Sequence, residues 1–121
     1  MTKYHSEHTW VRIEGGSAFV GITVHAQDTL GDIVFVDFAD TGKSYDQGSV
    51  AGVVESVKAA ADVHMPVTAT VLEVNEALRA DPSLANTDPE GAGWFYKVQL
   101  THATELEGLM DAAAYAAFAG T

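Results

Sequence analysis

One lysine sits in a stretch otherwise built from small, β-branched and a few acidic or hydroxyl residues, Val53-Val54-Glu55-Ser56-Val57-Lys58-Ala59-Ala60-Ala61-Asp62-Val63. The whole chain has six Lys+Arg, so a cation in this setting stands out. Two apolar runs around a short small-residue centre read as two strands and the bend between them. A lysine at that bend is held out at a loop tip, exposed and open to modification. Its small, uncharged neighbours suit close approach by a modifying enzyme. The plainer alternative is an ordinary solvated lysine on a turn, since lysine is usually exposed.

Other chemistry finds little support. There is no GxGxxG and no GxxxxGK[ST], so glycine-rich phosphate binding lacks its signature. Ser56 lies in Glu-Ser-Val rather than a Gly-x-Ser-x-Gly elbow. The absence of cysteine removes disulfides, thiolate catalysis and Cys-based metal sites. His5, His8, His25, His64 and His102 are scattered. His5 and His8 could meet, but no third ligand accompanies them, and each histidine reads as a surface or capping residue. Seventeen carboxylates always supply some pair, so pairs discriminate nothing. Trp10, Trp94 and their aromatic neighbours alternate with polar residues, which reads as core packing rather than a base-stacking platform.

The elements that would position Lys58 follow from length and pattern. A chain of 121 residues suits one domain, with a core over about 3–100 and a helical segment over about 104–119. An apolar fraction of 47% suits an ordinary core, and 11 glycines favour a turn-rich β architecture. Six cations against seventeen anions give a net charge of −11 and cannot cover a phosphate backbone, which argues against nucleic acid. That acidity favours a monomer and partners with basic patches. No window approaches the roughly 20 apolar residues of a membrane span. The first residues have neither a secretory nor a transit character, so the expected compartment is the cytoplasm.

Thr9–Glu14 alternates, Gly15-Gly16 turns, and Ala18–Ile22 returns, which is a hairpin. His25–Leu30 reads as a short helix, with Thr23 as N-cap and Gly31 as stop. Ile33–Phe38 is a strand, and turn residues at 40–43 and 46–48 flank a short extended piece. Ser49–Val57 and Asp62–Met65 flank Lys58. Pro66 opens the next strand, which ends at Asn75-Glu76. Residues 79–93, rich in Asp, Pro, Asn and Gly, read as a surface loop. Trp94–Leu100 is a final strand. Thr104-Glu105-Leu106-Glu107 has capping-box form ahead of an amphipathic helix that Gly108 and Asp111 could divide. The sum is a mainly β sandwich or barrel with a short internal helix and a C-terminal helix.

The sequence resembles the glycine cleavage system H-protein family over almost its whole length. The family's His-Glu-Trp-Val, Gly-Ile-Thr and Ala-Gln-x-x-Leu-Gly-Asp are similar to His8-Thr9-Trp10-Val11, Gly21-Ile22-Thr23 and Ala26–Asp32. Val54-Glu55-Ser56-Val57-Lys58-Ala59 resembles its lipoyl-attachment hairpin. Pro66-Val67, Val74-Asn75, Asn86-Thr87-Asp88-Pro89 and Gly93-Trp94 continue the likeness in order. Lipoyl domains of 2-oxoacid dehydrogenases typically carry Asp-Lys-Ala and biotin carriers Met-Lys-Met, and Val57-Lys58-Ala59 fits neither.

The resemblance implies a barrel-sandwich hybrid with lipoate amide-linked to Lys58, and Glu55, Ser56, Val57 and Ala59 as the residues read by lipoate-attaching enzymes. It implies a non-catalytic shuttle in glycine catabolism and one-carbon metabolism. The carrier takes an aminomethyl group from a pyridoxal-phosphate glycine decarboxylase (P-protein) to an aminomethyltransferase (T-protein), then is reoxidised by dihydrolipoamide dehydrogenase (L-protein). Thr9, Thr29, Leu30 and Asp62 are the expected cradle for the arm. The chain departs from the family pattern at Thr9 (commonly glutamate), Val24 (acidic), Thr29 (histidine in some members), Ala69 (glycine) and Glu90 (tyrosine). Two rival readings are a lipoyl donor for another lipoate-dependent pathway and an unmodified structural or adaptor β domain.

Overall fold

The computed structural model describes residues 2–119. Among the described residues, nine strands form two antiparallel sheets. The larger runs β1(Thr2–Tyr4), β2(Thr9–Glu14), β3(Ser17–Ile22), β9(Tyr96–Leu100), β8(Ala69–Val74), β5(Ser44–Tyr45) in spatial order. The smaller is β4(Ile33–Phe38), β6(Val50–Ser56), β7(Ala60–His64). The β2–β3 hairpin turns on Gly15-Gly16, and Gly15 takes the positive φ of 63° that a tight two-residue connection needs. One core draws on both sheets, with Val11, Val20, Val71 and Val98 from the larger and Val36, Val54 and Val63 from the smaller. The barrel-sandwich hybrid expected from the resemblance is the architecture found.

Tyr96 clips the sheets together. Its ring is buried, and its hydroxyl donates to the carbonyl of Ala51 and accepts from the backbone N–H of Ala39 at 2.7 Å. Burial holds this phenol well above its ordinary pKa. Gly52 makes the approach possible: its φ is +123°, and a Cβ there would lie 2.5 Å from the Tyr96 hydroxyl and 2.8 Å from the Asp37 carbonyl.

The short internal helix α1(Val24–Leu30) has the ends its sequence dictates. Thr23 Oγ1 accepts from Ala26 N at 3.1 Å, and Gly31 closes the helix at φ +80°. Four expectations need correction. Pro66 does not open a strand; β8 begins at Ala69, after a bend over residues 66–68. Residues 79–93 are not simply loop, because α2(Glu76–Ala80) runs into them and α3(Leu84–Thr87) lies within. Asn75 caps α2 by accepting from Ala77 N while its amide donates to the Ala92 and Trp94 carbonyls at 2.8 Å. The final strand likewise starts at Tyr96 rather than Trp94.

The capping box does not form either. It would pair Thr104 with Glu107, but Thr104 lies inside a 3₁₀ helix whose N-cap is His102, with no side-chain cap bond. The neighbouring Glu105 accepts from Thr68 N at 2.7 Å and Thr68 Oγ1 at 2.8 Å. The C-terminal segment is a 3₁₀ helix over Ala103–Gly108 followed by α4(Ala112–Ala119), so the division falls between Gly108 and Asp111. Replacing Gly52 by alanine should cost about 1–3 kcal/mol of unfolding free energy, because both φ and the Tyr96 contact are violated. Urea denaturation reads this directly, and a loss too small to measure would contradict the role given to Gly52.

Candidate functional site

The β6–β7 pairing ends at Glu55 opposite Ala60, leaving Ser56-Val57-Lys58-Ala59 as the hairpin tip. Ser56 organises it. Its N–H donates to the Ala59 carbonyl at 2.8 Å, and its hydroxyl accepts from Lys58 N at 3.2 Å and Ala59 N at 3.1 Å. The same hydroxyl lies 3.0 Å from the Ala59 carbonyl, to which it donates. This is a side chain standing in for backbone partners in a turn. Val57 N donates to the Asp32 carbonyl at 3.0 Å, fastening the tip to the junction of α1 and β4.

Lys58 is exposed, as are Glu55, Val57 and Ala59 around it. Its side chain lies against Gly31: a Cβ built there would be 3.4 Å from Lys58 Cε and 3.7 Å from Nζ. No ion pair holds Nζ among the described residues. The junction beneath is itself clamped by Asn86 of α3. The Asn86 side chain accepts from Ile33 N at 2.8 Å and donates to the Gly31 carbonyl at 2.8 Å and to Gln27 Oε1 at 3.0 Å.

Immediately before Gly31, Thr29 and Leu30 line a cleft of about 210 Å³. Ile22, Ala26, Leu30, Val54 and Ala61 make its apolar surface, while Glu7, His8, Thr9, His25, Thr29 and Asp62 supply polar groups. The structure thus brings Thr9, Thr29, Leu30 and Asp62 to one cavity. Thr9 is 1% exposed, and its hydroxyl is buried with no hydrogen-bond partner among the described residues. An orphaned hydroxyl in a cleft wall normally costs on the order of 1–3 kcal/mol, so it suits a guest that hydrogen-bonds to it. A disulfide-bearing aliphatic arm fits these walls: methylenes against Leu30, Val54 and Ala61, polar ends against Thr9 and the rim carboxylates.

His8 adds a feature that sequence reading missed. Its backbone is left-handed at φ 66°, its ring lies 4.6 Å from that of His25, and its Nδ1 is 2.6 Å from the Tyr115 hydroxyl on α4. Tyr115 is also 2.8 Å from Thr23 Oγ1. Thr23 Oγ1 accepts from Ala26 N, either hydroxyl of the Thr23–Tyr115 pair can donate to the other, and the direction of the Tyr115–His8 bond follows the histidine tautomer. Burial first, then the neighbouring His25, holds the His8 pKa below its ordinary value, with Glu7 opposing. Glu7 and His25 also went unnoticed in the cleft. Spacing of two from Thr9 was a signal for Glu7; nothing local announced His8 and Tyr115, which are 107 residues apart.

A family model described as Glycine cleavage H-protein matches residues 2–121. The chain belongs to this family. It is 56% identical to the glycine cleavage system H protein of Chromobacterium violaceum over 115 residues, covering 94% of this chain and 90% of that one. It is 52% identical to the corresponding protein of Bradyrhizobium diazoefficiens over 116 residues, 96% and 95% of the two chains. A crystal structure of a glycine cleavage system H protein from Mycobacterium marinum superposes with a TM-score of 0.90 at 38% identity, over 99% of this chain and 97% of that one.

Two departures from the family pattern now read together. Val24, the first residue of α1, contributes no acid to the helix N-terminus, but Glu90 does: its Oε2 accepts from Val24 N at 3.0 Å. Its Oε1 accepts from the Tyr4 hydroxyl at 2.9 Å, and burial with this bond pushes the Tyr4 pKa up to about 12. Ala69 is buried where β8 faces the core. Thr9 leaves the cleft without one acid, while Glu7 and Asp62 remain on its lining.

A pH dependence follows from His8. Burial also lowers the pKa of His5, with the nearby His64 adding to the effect and Glu7 opposing it. A histidine whose folded pKa lies below its unfolded value of about 6.5 stabilises the chain fully above that pH, and the contribution is lost as pH falls through the folded value. The urea midpoint should therefore fall between pH 7.5 and 5.5, before most carboxylates titrate. His8→Asn, which tolerates the left-handed backbone, should reduce that fall. An unchanged pH slope in His8→Asn would contradict the lowered pKa assigned to His8.

Proposed function

We propose that Lys58 Nζ carries lipoate in amide linkage and that the chain works as the lipoyl-lysine shuttle of the glycine cleavage system. The observation that carries this reading is positional: the lysine is exposed on a fastened four-residue tip, and its side chain lies over the residue that follows the cleft residues Thr29 and Leu30. Lipoate would supply a disulfide able to open reductively around the aminomethyl group left by glycine decarboxylation and to be reoxidised afterwards.

The chain's own residues do the rest. Lys58 provides the attachment nitrogen, and amide formation there removes its positive charge, which would otherwise oppose entry to an apolar cleft. Leu30, Val54 and Ala61 offer a surface that excludes water, and Thr9 offers a hydroxyl that has no other partner. Glu7 favours a cationic amine in the cleft. Ser56 and the Val57–Asp32 bond keep the attachment point in place, so a tethered arm samples the cleft at high local concentration.

Catalysis belongs to the partners: a glycine decarboxylase, an aminomethyltransferase, dihydrolipoamide dehydrogenase and the enzymes that attach lipoate. Net charge −11 suits basic faces on these partners. A monomer working in the cytoplasm as one carrier domain completes the reading.

Intact mass of the chain from a lipoylation-competent host should show one lipoyl increment, absent in Lys58→Arg. Reconstitution with the three partner enzymes should give glycine-dependent turnover with the loaded chain and none with Lys58→Arg. An unshifted native mass, or a shift that survives the substitution, would overturn the assignment of Lys58.

A further inference from the structure

The strand beside the lysine hairpin carries a feature that the shuttle role leaves unused. Ile33 and Val36 of β4 are buried, yet both residues between them are exposed, Val34 by 55% and Phe35 by 51%. Strict alternation would turn one of the two inward. The pairing with β6 shifts register between Ile33 and Phe35, so a bulge turns both outward while keeping Ile33 and Val36 in the core. Each leaves about half of its surface uncovered by the rest of the chain.

Their surroundings are equally specific. Phe35 stands directly opposite Glu55, which stands opposite Ala60; the next row is Asp37, Val53 and Asp62. Directly opposed residues share a face, so the outer side of this sheet combines Phe35 and Val53 with three carboxylates. Val57, 66% exposed, sits at its end, where its N–H is fixed to the Asp32 carbonyl. Lys58 is the one cation on these strands and their hairpin. Lys3, Arg12, Lys43, Arg79 and Lys97 lie on β1, on β2, before β5, on α2 and on β9.

We propose that the Val34–Phe35 bulge is the docking anchor for the enzyme that acylates Lys58, an enzyme whose own face has an apolar pocket rimmed by Lys or Arg. This rests on the reading of Lys58 as the attachment site. Reach selects the occupant. Partners that work at the far end of a long arm need not touch the hairpin, but the acylating enzyme must bring a carbonyl carbon to bonding distance of Nζ. The neutral amine attacks that carbon in an activated carboxyl, a mixed anhydride with a nucleotide phosphate. The C–N bond forms, the C–O bond to phosphate breaks, the phosphate leaves with the electron pair, and the nitrogen gives up its extra proton to a base. Nothing is oxidised or reduced. An enzyme so placed over Lys58 covers the neighbouring strand, where Phe35 offers a buried-aromatic anchor and Asp37, Glu55 and Asp62 complement a basic rim.

The test uses the unmodified full chain with a lipoate–protein ligase, lipoate and ATP, following intact mass over time. Phe35→Ser should lower kcat/KM for acylation about tenfold or more. Val34→Ser, on the same bulge, should lower it less and substitutes if Phe35→Ser does not fold. Leu72→Ser, an exposed apolar position on β8, should leave it unchanged. Phe35→Ser chain, once loaded by long incubation, should be reduced by dihydrolipoamide dehydrogenase at the wild-type rate. If the wild-type chain is not acylated at Lys58, the attachment reading itself fails. If it is acylated there and both bulge variants react at the wild-type rate, the docking proposal alone fails. An equal loss in the dehydrogenase assay would make the bulge a general dock and overturn its assignment to the acylating enzyme.

Discussion

The backbone hydrogen bond from Val57 N to the Asp32 carbonyl is the constraint on which the site depends. A hairpin tip alone would place Lys58 somewhere in solvent near two strand ends. This bond ties the tip to the end of α1, so that the lysine lies over Gly31 and next to the cleft. Its strength is borrowed from elsewhere. Asn86 holds the Gly31 carbonyl and Ile33 N on either side of Asp32, and α3, which carries Asn86, is kept by the turns around Asp88 and Gly93. Trp10 joins the same region from below by donating to the Pro89 and Ile22 carbonyls. Residues far apart in the chain thus converge on the hairpin tip that carries Lys58.

The cleft has a different origin. It lies where α1, the segment before β2 and the edge strand β7 meet, and no single element contains it. Its walls are mixed in a way that suits a cargo with an aliphatic stem and a polar end. The one buried side-chain polar atom without a partner among the described residues, Thr9 Oγ1, belongs to this wall. On the far side, hydrogen bonds running from Ala26 N through Thr23 and Tyr115 to His8 tie the cleft's histidine to the C-terminal helix. An unsatisfied hydroxyl on one wall and an ordered relay behind another are what a receptive site requires.

Much of this was legible because the strands obey a period of two and the internal helix has an N-cap and a glycine stop. Thr23, Gly31 and the Gly15-Gly16 turn stand where local chemistry puts them. The segment 79–93 reads as loop because Asp81 and Asp88 end its helices as C-caps, and helices of four or five residues are too short to show periodicity. The capping box failed because the helix begins at Ala103, which puts Thr104 inside it rather than at its N-cap. Lys58 stood out by composition and by its hairpin. The cradle residues Thr9, Thr29, Leu30 and Asp62 came only through family likeness, and His8, His25 and Glu7 did not come at all. They depend on long-range contacts that local spacing does not encode.

That the acylated lysine reaches into this cleft is the central claim, and nuclear Overhauser contacts in the lipoylated, isotope-labelled chain test it most directly. Contacts between lipoyl methylene protons and the side chains of Thr29, Leu30 and Ala61, together with a shifted Thr9 amide, are the expected result. A chain lipoylated on Lys58 whose arm gives no such contacts, with shifts confined to residues 57–60, would contradict it.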